Sequence, residues 1–171
     1  MSVTVYWIDS SWPGKLAIIP RPRGGDWLED EAQAWRQSGL DVIVSLLTDD
    51  EVADLDLARE AELSRAAGLE FISFPITDRS VPASQTATMD LLRRLTALLA
   101  SGKSVGIHCR QGIGRAALIA IGLFVLSGES PEAAIQKVSA ARGLPVPETS
   151  EQREWIIQLR RVLARSTVST S

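Results

Sequence analysis

The chain contains one histidine and one cysteine, and they are neighbours, His108 and Cys109. In the stretch "HCRQGIGR" the cysteine is followed by Arg110, Gln111, Gly112, Ile113 and Gly114, and then by Arg115. The residues Ser104–His108 read as a strand and the apolar run from Ala116 to Leu126 as a helix, so the five residues bridge a strand and a helix N-terminus. Unpaired amides and the helix dipole make such a junction favourable for an anion. Gly112 and Gly114 allow positive φ and a curled backbone whose N–H groups turn inward as an anion nest. The planar fork of Arg115 suits two oxygens of a phosphate. A thiol beneath such a ring is favoured as the thiolate, its nucleophilic form. Neighbouring strand residues face opposite ways, so His108 is not placed to take the Cys109 proton. The competing reading, a buried core thiol beside a packed histidine, accounts for neither the two glycines nor the arginine.

The elements that must hold this loop alternate between strand-length apolar runs and segments of helical period. Strands are predicted at Val3–Ile8, Leu16–Ile19, Val42–Leu47 and Leu69–Phe74, besides the one before Cys109. Asp26 is predicted to N-cap a helix running to about Ser38 and stopped by Gly39. Thr48 and Glu51 form a capping-box pattern that opens a helical stretch reaching Gly68. Ser84–Ser101 reads as an amphipathic helix closed by Gly102. Ser130-Pro131 opens another helix, and Thr149–Leu163 is the last. The expected architecture is α/β, a central, mostly parallel sheet flanked by helices, in one domain over residues 1–165. Residues 166–171, "STVSTS", are expected to form a disordered tail. Gly102-Lys103-Ser104 superficially suggests a nucleotide P-loop, but Ala97 stands where its first glycine belongs, and the segment follows a helix.

Composition fits this frame. With 171 residues, 45% hydrophobic, and a net charge of −3, the chain has the balance of an ordinary globular domain. Its slight acidity gives no reason to expect nucleic acid or an anionic membrane as partner. The longest apolar run is too short to cross a bilayer, and the start lacks a basic signal-peptide region. A single cysteine forms no internal disulfide or cysteine-rich metal site and fits a reducing compartment. The expectation is therefore a cytoplasmic protein acting as a monomer, with no cofactor and no metal.

"HCRQGIGR" resembles the His-Cys-x5-Arg signature of the cysteine-dependent protein tyrosine phosphatase superfamily, and the short chain is similar to its compact dual-specificity branch. The likeness runs from about Leu16 to Leu159. The corresponding loop of rhodanese-type sulfurtransferases is one residue shorter. The resemblance implies that Cys109 attacks phosphorus to form a phosphocysteine and that Arg115 stabilises the equatorial oxygens. The amides from Arg110 to Arg115 would cradle the phosphate, and His108 would brace the loop from behind. "FPITDRSVP" resembles the family's general-acid loop and offers Asp78 to protonate the leaving oxygen, although an aspartate there also suits a local turn. "ETSEQREWI" resembles the segment that positions the hydrolytic water, which would assign that role to Gln152. The spacing of Thr149 and Gln152 is equally that of a capping box. Many members carry a hydroxyl directly after the loop arginine, where this chain has Ala116, so breakdown of the phosphocysteine is expected to be slow.

The expected substrates are phosphotyrosine and phosphoserine or phosphothreonine in proteins. A small phosphorylated metabolite is the alternative, and a phosphate-binding module with weak turnover is a second. Arg79 and Trp12 are candidates for the rim.

Overall fold

The structure is a computed structural model and describes residues 3–169. Five strands form one sheet: β1 (Tyr6–Ile8), β2 (Leu16–Ile18), β3 (Val42–Ser45), β4 (Glu70–Ser73) and β5 (Val105–His108), in the order β1-β2-β5-β3-β4. Only β1 runs antiparallel; β2, β5, β3 and β4 are mutually parallel. The parallel strands thus end along one edge, with β5 between β2 and β3, and loops at such an edge are where α/β sheets build sites. The expected mostly parallel sheet flanked by helices is what the chain forms.

Among the described residues, seven α-helices cover it: α1 (Leu28–Gln37), α2 (Asp49–Asp54), α3 (Glu60–Ala66), α4 (Gln85–Ala100), α5 (Arg115–Leu126), α6 (Pro131–Arg142) and α7 (Ser150–Ser169). Residues alternate between the two faces of each strand. Val42, Val44, Val105 and Ile107 pack into the larger core with α4, α5, α6 and α7. Ile43 faces a smaller core with Trp35 of α1, Leu40 and Leu69. Helix α5 is buried from Arg115 through Val125 because it lies between the sheet and its neighbours. Each fully buried Leu, Ile, Val or Phe there contributes roughly 1.5–3 kcal/mol, which anchors the helix whose first turn carries the loop.

Local signals set most boundaries. Ser84 and Ser130 accept from the amides of Ala87 and Ala133 as N-caps, Pro131 occupies the first turn of α6, and Gly143 ends it in the left-handed region (φ 76°). Three expectations are corrected. Asp26 does not cap α1; it lies inside a 3-10 turn, Gly25–Trp27, and α1 is entered from Trp27 in helical geometry with no side-chain cap. The helical stretch after Thr48 is two helices, because the chain turns at Asp56 (φ 55°) to bury Leu57 against Leu28 and Leu47. The Asp56 carbonyl also accepts from Gly25 N–H at 3.1 Å. Strand β1 begins at Tyr6 instead of Val3. The backbone of α7 continues to Ser169, four residues into the predicted tail, and residues 170–171 lie outside those described. Among the described residues, no helix is long and apolar enough to cross a membrane.

Candidate active site

Alternation along β5 sends its last side chains to opposite layers. His108 points toward α1 and α3, stacked against Trp35 with ring centroids 6.1 Å apart, while its Nε2 lies 2.6 Å from Glu60 Oε2. Cys109, next along the chain, falls in the core layer of α5. His108 is therefore behind the loop and out of reach of the thiol, as the strand period requires. Its contact with Glu60 links the base of the loop to α3.

The loop turns at Gly112, whose φ of 77° lies in the left-handed region. This brings Gly112 N–H within 3.2 Å of Cys109 Sγ, and Ala116 N–H, in the first turn of α5, approaches the same sulfur at 3.4 Å. Cys109 is a free, buried thiol with these two backbone amides directed at its sulfur. Gly114 is not in the left-handed region (φ −119°), so its role differs from the predicted one. A Cβ there would come within 3.1 Å of Gln152 Nε2 and 3.3 Å of Glu148 Oε1, so glycine lets these two side chains approach the loop closely. From outside, Arg142 of α6 donates through Nε to the Gly112 carbonyl at 3.0 Å and through Nη2 to that of Gln111 at 3.4 Å. The guanidinium also lies over the Tyr6 ring, 4.3 Å from its centroid. With those two carbonyls held outward, the amides are free to face the sulfur.

Arg115 is almost wholly buried, at 1% exposure. Its Nη1 and Nη2 donate to the two carboxylate oxygens of Glu51 at 2.6 and 2.8 Å, a bidentate pair. Nη1 also donates to the Ile76 carbonyl at 2.8 Å, and Asp78 Oδ1 lies 3.1 Å from Nη2. Burial works against both charges. At Glu51 the hydrogen bonds from Arg115 and from Thr48 N–H overcome that cost and hold the carboxyl below its ordinary range. At Arg115 the hydrogen bonds it donates to Glu51, with the nearby charges of Cys109, Glu51 and Asp78, hold the guanidinium above its own. The site keeps a fixed cation close enough to the buried Cys109 sulfur for their charges to interact.

The acid-loop candidate is brought to the same place. Ile76 N–H donates to the Leu46 carbonyl at 3.0 Å, extending the pairing beyond β3 and β4, and Asp78 follows on a turn closed by Ser80 N–H to the Thr77 carbonyl. Gln152 is buried and closes a capping box with Thr149, and its Nε2 donates to the Ser80 carbonyl at 3.1 Å. It therefore lies between the 77–80 turn and Gly114. Arg110 is half-exposed on the loop, 3.9 Å from Glu51 Oε2. Trp12 leaves the list of rim residues, because it packs against Phe124 near the far end of α5.

Sequence reasoning missed three residues. Glu51 carried a capping signal that is real, since Thr48 N–H bonds its Oε1 at 3.1 Å, but the same carboxylate also clamps Arg115 across 64 positions. Glu60 and Arg142 showed no local pattern.

A family profile described as "Polymorphic toxin system, DSP-PTPase phosphatase" matches residues 19–129. Among curated proteins the chain is similar to cyclin-dependent kinase inhibitor 3 of Homo sapiens, at 24% identity over 139 residues, covering 80% of this chain and 65% of the relative. The Rattus norvegicus counterpart is 23% identical with the same coverage. The matched region is thus slightly less than two thirds of these relatives' length. Among solved structures the fold is similar to that of kinase associated phosphatase with its catalytic-site cysteine substituted by serine. There the TM-score is 0.84 at 20% identity, over 96% of this chain and 97% of that one. Tk-PTP in its active form gives a TM-score of 0.76 at 28% identity, over 94% and 99%. Since the profile match spans the Asp78 loop, the Cys109 loop and α5, the chain belongs to the DSP-PTPase phosphatase family.

Proposed function

We propose that this chain is a cysteine-dependent phosphomonoesterase. The observation that carries the reading is the convergence on one floor of Cys109 Sγ, two amide donors and the Arg115 guanidinium, with the Asp78 carboxyl 3.1 Å from that guanidinium. In the first step the Cys109 thiolate attacks phosphorus and the bond to the leaving oxygen breaks. The carboxyl proton of Asp78 passes to that oxygen, while Arg115 and the amides of Arg110–Arg115 hold the other three. In the second step a water attacks phosphorus, its proton goes to the Asp78 carboxylate, and the thiolate departs. Gln152, between Ser80 and Gly114, is the side chain we assign to orienting that water.

We further propose phosphotyrosine and phosphoserine or phosphothreonine in proteins as substrates, with a small phosphorylated metabolite as the alternative. The Asp78 side chain is 55% exposed, and this accessibility supports a protein-borne phosphate as substrate. A reducing, cytoplasmic setting suits the free thiol on which the chemistry depends.

Cys109→Ser is expected to abolish turnover of aryl phosphates while retaining binding of tungstate, and wild-type activity is expected to persist in EDTA. Turnover in the serine variant, or a requirement for added divalent metal, would remove the phosphocysteine mechanism.

A further inference from the structure

Arg79 follows Asp78 directly and has a backbone φ of 62°, in the left-handed region that non-glycine residues seldom adopt. Such a conformation persists only where surrounding contacts enforce it. Two are present, and both come from the segment that begins α7. Arg79 Nη1 lies 3.3 Å from Glu148 Oε1, and Gln152 Nε2 donates to the Ser80 carbonyl. Glu148 is mostly buried, at 18% exposure, and the same carboxylate oxygen lies against Gly114 of the Cys109 loop. Arg79 itself is 66% exposed, and Asp78 is exposed as well, so burial does little to fix this turn.

We infer that Arg79 is a positioning residue, whose ion pair with Glu148 latches the 77–80 turn onto the start of α7 so that Asp78 stays over Arg115 and Cys109. The inference rests on the reading of Asp78 as the general acid and extends it. Glu148 is seated against the Cys109 loop, so the latch ties the acid to the nucleophile's own support. An exposed pair of this kind shifts a local equilibrium by a small factor, about two- to fivefold. That is enough to change how often the acid is in place.

The test compares phenyl phosphate, a poor leaving group that needs the acid, with p-nitrophenyl phosphate, a good one that needs it less. Arg79→Ala and Arg79→Gly are expected to lower kcat/KM for phenyl phosphate about two- to fivefold with much less effect on p-nitrophenyl phosphate. Arg79→Lys should retain most of the activity. Glu148→Gln should match Arg79→Ala, and the double variant should be no worse than either single one. Arg79→Gly is the decisive control, because glycine suits φ 62° while removing the charge. If only the backbone conformation matters, Arg79→Gly will equal the wild type, and the latch is overturned. Equal losses on both substrates, or additive losses in the double variant, overturn it too. Asp78→Asn, measured alongside, separates the two readings. A loss concentrated on phenyl phosphate with silent Arg79 variants removes the latch alone, whereas equal losses on both substrates in Asp78→Asn remove the general-acid reading and the latch with it.

Discussion

Cys109 Sγ has two backbone donors, the amides of Gly112 and Ala116, and the side chain at 116 adds none. In the proposed mechanism a hydroxyl there would supply one further hydrogen bond to the sulfur as negative charge returns to it during breakdown of a phosphocysteine. Bonds to charged groups contribute roughly 1.5–3 kcal/mol, and each 1.36 kcal/mol of barrier is about tenfold in rate. Ala116→Ser is accordingly expected to raise kcat by about tenfold or more with little change in kcat/KM, which reports the first step. The wild type should show a burst of leaving group equal to the enzyme present. Absence of a burst, together with an unchanged kcat in the serine variant, would mean that the two amides already suffice. The residues of this site were legible to the extent that they are contiguous. Cys109, Gly112 and Arg115 declare themselves by spacing, because one loop carries thiol, turn and cation. Glu51, Glu60 and Arg142 do not, because each reaches the loop from a different element, and a carboxylate in a capping box looks the same whether or not it also holds a buried arginine.

At the scale of elements, β5, the Cys109 loop and α5 follow one another directly, and β5 is packed on both faces of the sheet. Gly106 shows how tight that packing is. A Cβ there would lie 3.1 and 3.2 Å from the two δ-carbons of Leu40 and 3.3 Å from Ile19 Cδ1. Overpacking of this kind costs about 1–3 kcal/mol, so Gly106→Ala is expected to lower Tm by several degrees. Since His108 lies two residues on and faces the same layer, kcat should fall with it. A calorimetric Tm equal to the wild type would show that Leu40 and Ile19 yield freely and that this face is looser than the distances indicate. The same elements show which signals a sequence carries well. Helices α4 and α6 were readable because their serine caps, and for α4 the closing Gly102, act within a few residues, independently of the rest of the chain. The entry to α1 and the break between α2 and α3 were not. Both depend on Gly25 meeting the Asp56 carbonyl and on Leu57 joining Leu28 and Leu47, contacts that exist only after distant segments have docked.

Over the whole molecule, two carboxylates tie separate parts of the sheet together, and both make its stability depend on pH. Asp41, at the start of β3, accepts from Ser104 N–H at 2.9 Å just before β5, and Glu51 holds Arg115 beyond the opposite edge. Burial raises the cost of either charge. At Asp41 the bonds from Ser104 N–H and Arg36 outweigh that cost, and at Glu51 those from Arg115 and Thr48 do, so each titrates below its ordinary range. A group whose value is depressed by folding stabilises the native state above its unfolded value and loses that contribution as pH falls through the folded one. The unfolded values are about 3.9 for aspartate and 4.3 for glutamate, so stability should be level near neutrality and decline from about pH 4.5 downward. Glu51→Gln isolates one of the two. It leaves the Arg115 charge with only the exposed Asp78 as a carboxylate partner, and breaking a buried pair costs up to about 3–5 kcal/mol. At pH 7 the variant should therefore have the lower Tm. Below pH 4 the gap should narrow, because the wild type is then protonating the carboxylate that the variant lacks. Thermal melts of both proteins from pH 7 to pH 3 provide the measurement. Parallel curves across that range would show that Glu51 carries no native-state charge worth protecting, and that Arg115 is held in place by the Ile76 carbonyl and Asp78 instead.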